Sequence, residues 1–444
     1  MRVMSRRSLL TAAGALVGGG LLAGCTGVAG GGAGGAGGNA GGGGGGGDGA
    51  AGTVRYAFWG NNVREQNYRA AFEEMAAELP DIDLAIEFAD YNAYRERMTT
   101  QMAARNVADI FWVPSPDVLT YHANGLFRRV DDIDSLDLSD FDSADIESFK
   151  LGGEHNTVPF GAHVPVLRHN VTFAEEDGVT IPESWTWDEL AEFSRDYTES
   201  NAHGRRALSY RADHDLSLQN WLRQHGEQLW TEDGGIGFTA DTMIGWIQWW
   251  EDLRVAGATT SISEQDGIEP SWQDIGDKTL FHFGNANHVI DDAAMFPELE
   301  FGIAHPPVLA DAVPGYQFLY TPRMGIYSGI ADDVVLPAGH VLSYCINSTD
   351  LLRTVGFSMG TPINPRVAEE YREYASPLEL QMIDLGEDNR SADRSPFYES
   401  PPGSGEWRVT LRRLLEQVIH GSLTIPDAVD QLIDEVSGSI ERAS

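Results

Sequence analysis

Lysine is nearly absent from this 444-residue chain: Lys150 and Lys278 are the only two, and every other basic residue is arginine. With 30 Lys+Arg against 67 Asp+Glu, the formal net charge is -37. A surface of that sign repels nucleic acid, so no nucleic-acid partner is expected. The acids are scattered along the whole chain instead of clustering. That pattern suits adaptation to molar salt, as in a halophilic archaeon, where the Debye length falls to about 3 Å and self-repulsion is screened. Cysteine is equally scarce, with only Cys25 and Cys345. Cys345 lies in the apolar run 341–346 and reads as a small buried hydrophobe. With Cys25 committed elsewhere, neither an intramolecular disulfide nor a cysteine-based metal site remains. His282 and His288 lack the company of Cys or Glu that a zinc site needs. No metal and no cofactor is therefore expected. G-x-S-x-G, H-E-x-x-H and the EF-hand loop are all missing. There is no internal repeat, and beyond residue 22 no apolar run approaches membrane-spanning length.

What the chain does have begins at its N-terminus. Ser5-Arg6-Arg7-Ser8-Leu9-Leu10 is a twin-arginine start, followed by an apolar run from Leu9 to Leu22. The run is too short and too Gly-rich for a lasting membrane span, so residues 1–25 read as an export signal for an already folded protein. The run ends Leu22-Ala23-Gly24-Cys25, a lipobox-like sequence in which Cys25 is the expected lipid attachment point. Residues 26–52 are almost entirely Gly and Ala and read as a flexible tether. The expected location is the outer face of the cytoplasmic membrane.

The body from Thr53 to Ser444 is long enough for two domains, each with its own core. Residues 54–59 alternate as a strand, and 65–79 carry Tyr68, Phe72, Met75 and Leu79 at helical spacing. A strand at 82–88, a helix at 91–105, a strand at 108–113 and a short helix at 118–124 follow. This β-α order predicts an α/β fold with a largely parallel sheet. Further helices are expected at 216–225, 242–256, 349–359, 365–374, 407–419 and 425–440, with Thr186 or Ser184 capping another that runs to Tyr197. Short strands are expected at 280–283, 289–290 and 301–303.

Several blocks in this order resemble one family, the extracellular solute-binding proteins of ABC transporters, in particular the sugar-type, maltose-binding-like group (family 1). They are Phe58-Trp59-Gly60-Asn61, Ala108-Asp109-Ile110-Phe111, His122-Ala123-Asn124-Gly125-Leu126, Val158-Pro159-Phe160-Gly161, Gly356 to Pro362 and above all Pro182-Glu183-Ser184-Trp185-Thr186-Trp187-Asp188-Glu189-Leu190. Arg168-His169 departs from it, standing where the family usually carries Tyr-Tyr. The resemblance implies a two-lobed periplasmic-binding fold (type II), each lobe a mainly parallel sheet flanked by helices. Lobe 1 would hold 53–163 and 325–385, and lobe 2 would hold 164–324 and 386–444. It implies a monomer that captures a small solute, most simply a sugar or oligosaccharide, and passes it to the permease subunits of an ABC importer, without enzymatic activity.

A sugar site combines aromatic faces for the C–H patches of the ring with polar side chains for its hydroxyls. In an open parallel sheet, ligands bind beyond the carboxyl ends of the strands. That places Trp59 and Asn61 after the first strand and Trp112 and Ser115 after the third among the ligand candidates. The resemblance adds His163 on a crossover, Asn220 and Trp221 on a helix, Asn285 and Asn287 after a strand, and Trp407 at the start of a late helix. For each, ordinary packing is the competing reading. Trp246, Trp249 and Trp250 share a helix with Ile244, Ile247 and Leu253 and read as core. No Lys/Arg cluster stands among these candidates, which favours a neutral solute, although Arg64 or Arg323 reaching an anion would reverse that. A glycosidase would need two carboxylates about 5–9.5 Å apart, a condition too easily met by 67 acids to be informative. A surface adhesion module would suit the tether but not the β-α alternation.

Overall fold

The computed structural model describes residues 52–141, 143–265 and 278–443. The export signal, the tether up to residue 51 and the Cys25 anchor lie outside these residues. The chain runs through β1 (Gly52–Trp59), α1 (Asn62–Glu78), β2 (Ile82–Ala89), α2 (Tyr91–Ala103), β3 (Ile110–Val113), α3 (Val118–Ala123) and α4 (Ser143–Ser148). Short strands β4 (Lys150–Leu151), β5 (Glu154–His155) and β6 (Val158–Pro159) lead to β7 (Pro165–Asn170). Then come α5 (Val171–Glu176), α6 (Trp187–Ser200), β8 (Arg206–Leu208), α7 (Asp215–Gln224), α8 (Ala240–Val255) and α9 (Ile262–Gln265). They are followed by β9 (Thr279–Asn285), α10 (His288–Met295), β10 (Phe301–Ala304) and β11 (Arg323–Ile326). The described chain ends in six helices: α11 (Asp332–Asn347), α12 (Thr349–Val355), α13 (Pro365–Tyr371), α14 (Pro377–Ser391), α15 (Trp407–Ile419) and α16 (Ile425–Ala443).

The strands form two main sheets. The first has the order β2-β1-β3-β11-β6 and the second β10-β7-β9-β8. In the first sheet β1 pairs in parallel with β2 and β3, as β-α-β connections require, while β11 returns antiparallel to both β3 and β6. The expectation of mainly parallel sheets is corrected in the second. There β7 is antiparallel to both β10 and β9, and only the β8–β9 pair is parallel. The chain enters this sheet through β7 by a crossover from the first sheet, not through a helix, and so no parallel neighbour is imposed on it.

Each sheet has its own core. Tyr68, Phe72 and Met75 of α1 pack with Val54, Tyr56 and Phe58 of β1 and with Val341 and Leu342 of α11. The second sheet is covered by Trp187, Trp221, Trp246 and Trp250, together with Leu411 and Leu414 of α15 and Val429 and Leu432 of α16. Trp246 and Trp250 are completely buried, as the spacing along their helix predicted. A third cluster joins Val164, Val166 and Phe301 to Val367, Tyr371, Met382 and Leu385, so α13 and α14 pack toward the edge of the second sheet. Residues 289–290, expected as a strand, lie inside α10. The short helices α4, α5, α9 and α10 are not expected from the sequence, and neither are two long ones. One is α11, which carries Pro337 inside it, and the other is α14, which opens with a Ser376/Glu379 capping box.

Candidate functional site

The first strand stops where Gly60 and Asn61 interrupt the alternation, and Asn61 then caps α1 by accepting from the Arg64 backbone N–H at 2.9 Å. The Asn61 side chain also turns toward the second sheet, where its Nδ2 lies 3.5 Å from Asp291 Oδ1 on α10. Arg64 follows the same direction: its Nη2 is 3.6 Å from Asp291 Oδ2 and donates to the Ser358 carbonyl at 2.8 Å. Asn287 donates to that same carbonyl at 3.1 Å. A polar seam thus runs from the start of α1 to the start of α10.

Behind the seam, three chain segments cross between the sheets and are stitched to one another. His163 and Tyr320 exchange backbone hydrogen bonds of 2.7 and 2.9 Å, and Ala162 and Thr361 exchange bonds of 2.9 and 3.1 Å. Gly360, at φ +98°, tolerates the approach, since a Cβ there would stand 2.2 Å from the Ala162 carbonyl oxygen. Burial, reinforced by Arg64, holds the His163 imidazole neutral, with its pKa lowered to about 4.

In front of the seam the walls are charged and partly open. Tyr91 starts α2 and is 37% exposed, while its phenol is still pushed strongly up by burial. Near it Asp215 and Arg408 pair with each other at 3.7 Å, with side chains 28% and 39% exposed. Burial raises the Asp215 carboxyl, but Arg408 and His214 outweigh it and leave the pKa low. Beside Tyr91, Arg95 holds Asp117 with bonds of 2.8 and 3.0 Å, and the Gly405 backbone lies over this pair. Deeper in, Arg323 meets Glu399 at 3.0 Å. Each of these arginines is matched by a carboxylate. Burial raises the Asp291 and Glu399 carboxyls, and Arg64 and Arg323 respectively offset only part of the rise.

Of the residues read from the sequence, Trp59 is half-buried at the end of β1, edge-on to Tyr91 at 5.6 Å. Asn61, His163, Asn285 and Asn287 gather along the seam and the crossings. Ser115 opens a half-buried 3-10 turn beyond β3 and faces the Tyr320 hydroxyl. Asn220 is buried on α7. Three tryptophans are corrected. Trp112 is fully buried, donates to the Tyr56 hydroxyl at 2.8 Å and stacks on Phe160 at 4.6 Å. Its side chain alternates to the core side of β3, away from the cleft. Trp221 packs against Trp187 and donates to the Thr242 carbonyl at 3.1 Å. Trp407 packs edge-on against Trp230 inside the second core, leaving Arg408 as the cleft residue of that turn. The sequence reading missed Tyr91, Arg95, Asp215, Asp291, Glu399 and Arg408. The run Asp213-His214-Asp215 just ahead of a helix was the clearest signal available.

Residues 62–272 match the family model for bacterial extracellular solute-binding proteins. Among solved structures, a periplasmic oligogalacturonide-binding protein from Yersinia enterocolitica, in complex with saturated digalacturonic acid, superposes with a TM-score of 0.76 at 14% identity, covering 88% of this chain and 99% of its own. A periplasmic solute-binding protein from Pectobacterium atrosepticum gives 0.75 at 17% identity over the same shares of 88% and 99%. The GacH receptor of Streptomyces glaucescens, solved unliganded and with acarbose, gives 0.70 at 16% identity, again covering 88% and 99%. The resemblance read from the sequence is upheld: residues 62–272 match the bacterial extracellular solute-binding proteins, and the chain has the mixed α/β fold of that group.

Proposed function

We propose that this chain captures a neutral sugar or oligosaccharide between two lobes and delivers it to the permease of an ABC importer. In this reading the lobes are 53–163 with 325–385 and 164–324 with 386–444, joined by the stitched crossings at His163 and Thr361, with α13 and α14 packed across onto the second sheet. The chain acts as a monomer on the outer face of the membrane, tethered through a lipid on Cys25. One observation carries the binding reading. Buried polar atoms without hydrogen-bond partners converge where the sheets meet: His163 Nε2, Asn285 Oδ1, Asn287 Oδ1 and Ser358 Oγ. Each such atom costs about 1–3 kcal/mol unless something fills its valence, and a polyhydroxylated ring offers both donors and acceptors. Trp59 and Tyr91 supply the aromatic surface beside them.

The pairing of Arg64, Arg95, Arg323 and Arg408 each with a carboxylate supports a neutral ligand, since none of these four is left over for a phosphate or uronate. A thermal-shift screen against neutral oligosaccharides, polyols and glycerol phosphates tests this. A neutral oligosaccharide is expected to give the largest rise in melting temperature. A preference for glycerol phosphate would overturn the assignment of charge, and hydrolysis of any bound oligosaccharide would overturn the reading as a pure binder.

Trp59 and Trp112 separate binding from stability. Trp59→Ala should weaken binding of the best sugar about 10–100-fold by titration calorimetry, with little change in unfolding. Trp112→Ala removes a fully buried indole and should cost about 3–5 kcal/mol in urea unfolding. Equal loss of stability in both variants would show Trp59 to be a core residue.

A further inference from the structure

The ion pair at the centre of the seam is loose for its surroundings. Arg64 Nη2 stands 3.6 Å from Asp291 Oδ2, too far for a hydrogen bond, although the side chains are only 9% and 8% exposed. Each group is held by something else. The Arg64 stem packs on Gly60, where a Cβ would stand 2.6 Å from Arg64 Cδ, and Nη2 is drawn to the Ser358 carbonyl at 2.8 Å. Asp291 Oδ1 faces Asn61 Nδ2 at 3.5 Å. Two buried atoms are left without a hydrogen bond, Arg64 Nε and Asp291 Oδ2. The first can only donate, and the second, as a carboxylate oxygen, can only accept.

Asn287 adds an acceptor beside them. Its Nδ2 donates at 3.1 Å to the same Ser358 carbonyl that Arg64 uses. That bond fixes the amide, because the opposite flip would set Oδ1 against a carbonyl oxygen. Asn287 Oδ1 is therefore the free atom, on a residue only 3% exposed. Arg64 lies in the first turn of α1, while Asn287 and Asp291 lie at the start of α10. In the two-lobe reading, on which this inference rests, these helices belong to opposite lobes. The pair therefore spans the boundary, so its free atoms are wetted when the lobes part and enclosed when they close.

The charges of the pair cancel, so what it offers a ligand is one N–H and one carboxylate oxygen side by side. A hydroxyl suits both, since it accepts and donates at once. A hydroxyl on the adjacent carbon suits Asn287 Oδ1. A carboxylate, an O-methyl group or a fluorine brings acceptors only and leaves both oxygens unsatisfied. We propose that Arg64, Asp291 and Asn287 together read an unsubstituted vicinal diol on the sugar. The bridge is made by both lobes at once, so recognition of the diol and closure of the cleft are one event. A sugar lacking either hydroxyl loses hold on the closed form as well as a contact.

The probe is the best binder among glucose, galactose, mannose, xylose and their homodisaccharides, titrated by calorimetry into the full chain along with its monodeoxy and deoxyfluoro derivatives. Removing either of two adjacent hydroxyls should weaken binding about 10–100-fold, and removing any other markedly less. The deoxyfluoro derivatives should lose as much as the deoxy ones, since fluorine cannot donate. Asp291→Ala and Asn287→Ala should each bind the parent sugar at least about tenfold more weakly. In D291A one of the two deoxy derivatives, and in N287A the other, should bind no worse than the parent. A merely structural role for either residue would not produce that equality. Losses spread evenly over the ring, confined to non-adjacent positions or persisting in both variants would overturn the diol assignment and leave the sugar reading standing. Binding of none of these sugars would overturn the sugar reading, and the diol with it. Where circular dichroism shows a variant to be unfolded, the deoxy scan on the unsubstituted chain still decides.

Discussion

Replacing Arg168 with Met is expected to destabilise the protein by about 3–5 kcal/mol, and Asp292→Asn by a similar amount. The two side chains form an ion pair between β7 and α10 in which both are completely inaccessible to solvent. Removing one partner strands the other charge in a low-dielectric interior. The pair itself is no large net stabiliser. Burial raises the Asp292 carboxyl to a pKa of about 6 even with Arg168 alongside, so desolvation exceeds the Coulombic gain. The double variant R168M/D292L should therefore recover most of the stability lost in either single variant. Urea unfolding with an unchanged m-value is the measurement. Single variants costing less than about 1 kcal/mol, or a double variant as poor as either single, would sink the account. The effect should reach the site as well. Asp292 is adjacent to Asp291, which meets Asn61 and Arg64 across the seam, so the pair fixes the turn of α10 that presents Asp291. R168M should weaken binding of the proposed sugar even where the protein remains folded.

Arg168 also shows how far sequence carries. Its departure from the usual Tyr-Tyr was visible, but its partner lies 124 residues away on a helix whose start had been read as a strand. Local signals served well where periodicity was regular. The alternation of β1, the apolar spacing of α1 and the Thr186 cap of α6 all emerge within a few residues of expectation. They fail for α11, because Pro337 hides a helix whose other residues favour it, and for α14, whose Ser376-Pro377-Leu378-Glu379 start carries the only strong local signal. In the cleft, Asn61 and His163 were legible because they end or join elements. The tryptophans were not, because residue type alone does not tell which side of a strand or helix is buried. Trp112 turns inward where Trp59, from the neighbouring strand, remains half exposed. Arg64, Asp291, Asp215 and Arg408 become a site only through the long-range docking of α1, α7, α10 and α15.

Acidification from pH 7 to 5 is expected to destabilise the protein by several kcal/mol. Burial lowers the pKa of His163 and His169 to about 4 and of His214 to about 3. Burial also drives His282 and His288 well down, with Arg168 adding to both. In the unfolded chain each imidazole titrates near 6.5. Between that value and about 4 the unfolded state binds more protons than the folded one. The stability is thus fully present above pH 6.5 and is lost as the pH falls toward 4. At pH 5 the loss is about 2 kcal/mol for a histidine shifted to about 4, as His163 and His169 are. Asp292 has the opposite sign. Its raised carboxyl holds a proton better in the folded state and returns about 1 kcal/mol at pH 5. Relaxed repulsion among the 67 acids also opposes the loss. The histidines win because at least five contribute against one carboxyl shifted as far. Urea midpoints at pH 7, 6 and 5 measure the sum, and His169→Gln isolates one term. That variant should lose about 2 kcal/mol less than the unsubstituted chain between pH 7 and 5. A midpoint that holds or rises at pH 5, or an H169Q profile parallel to that of the unsubstituted chain, would show that these imidazoles do not govern the acid limb. Binding of the proposed sugar should stay nearly constant over the part of this range where the chain is folded, because His163 keeps its neutral form well below pH 6.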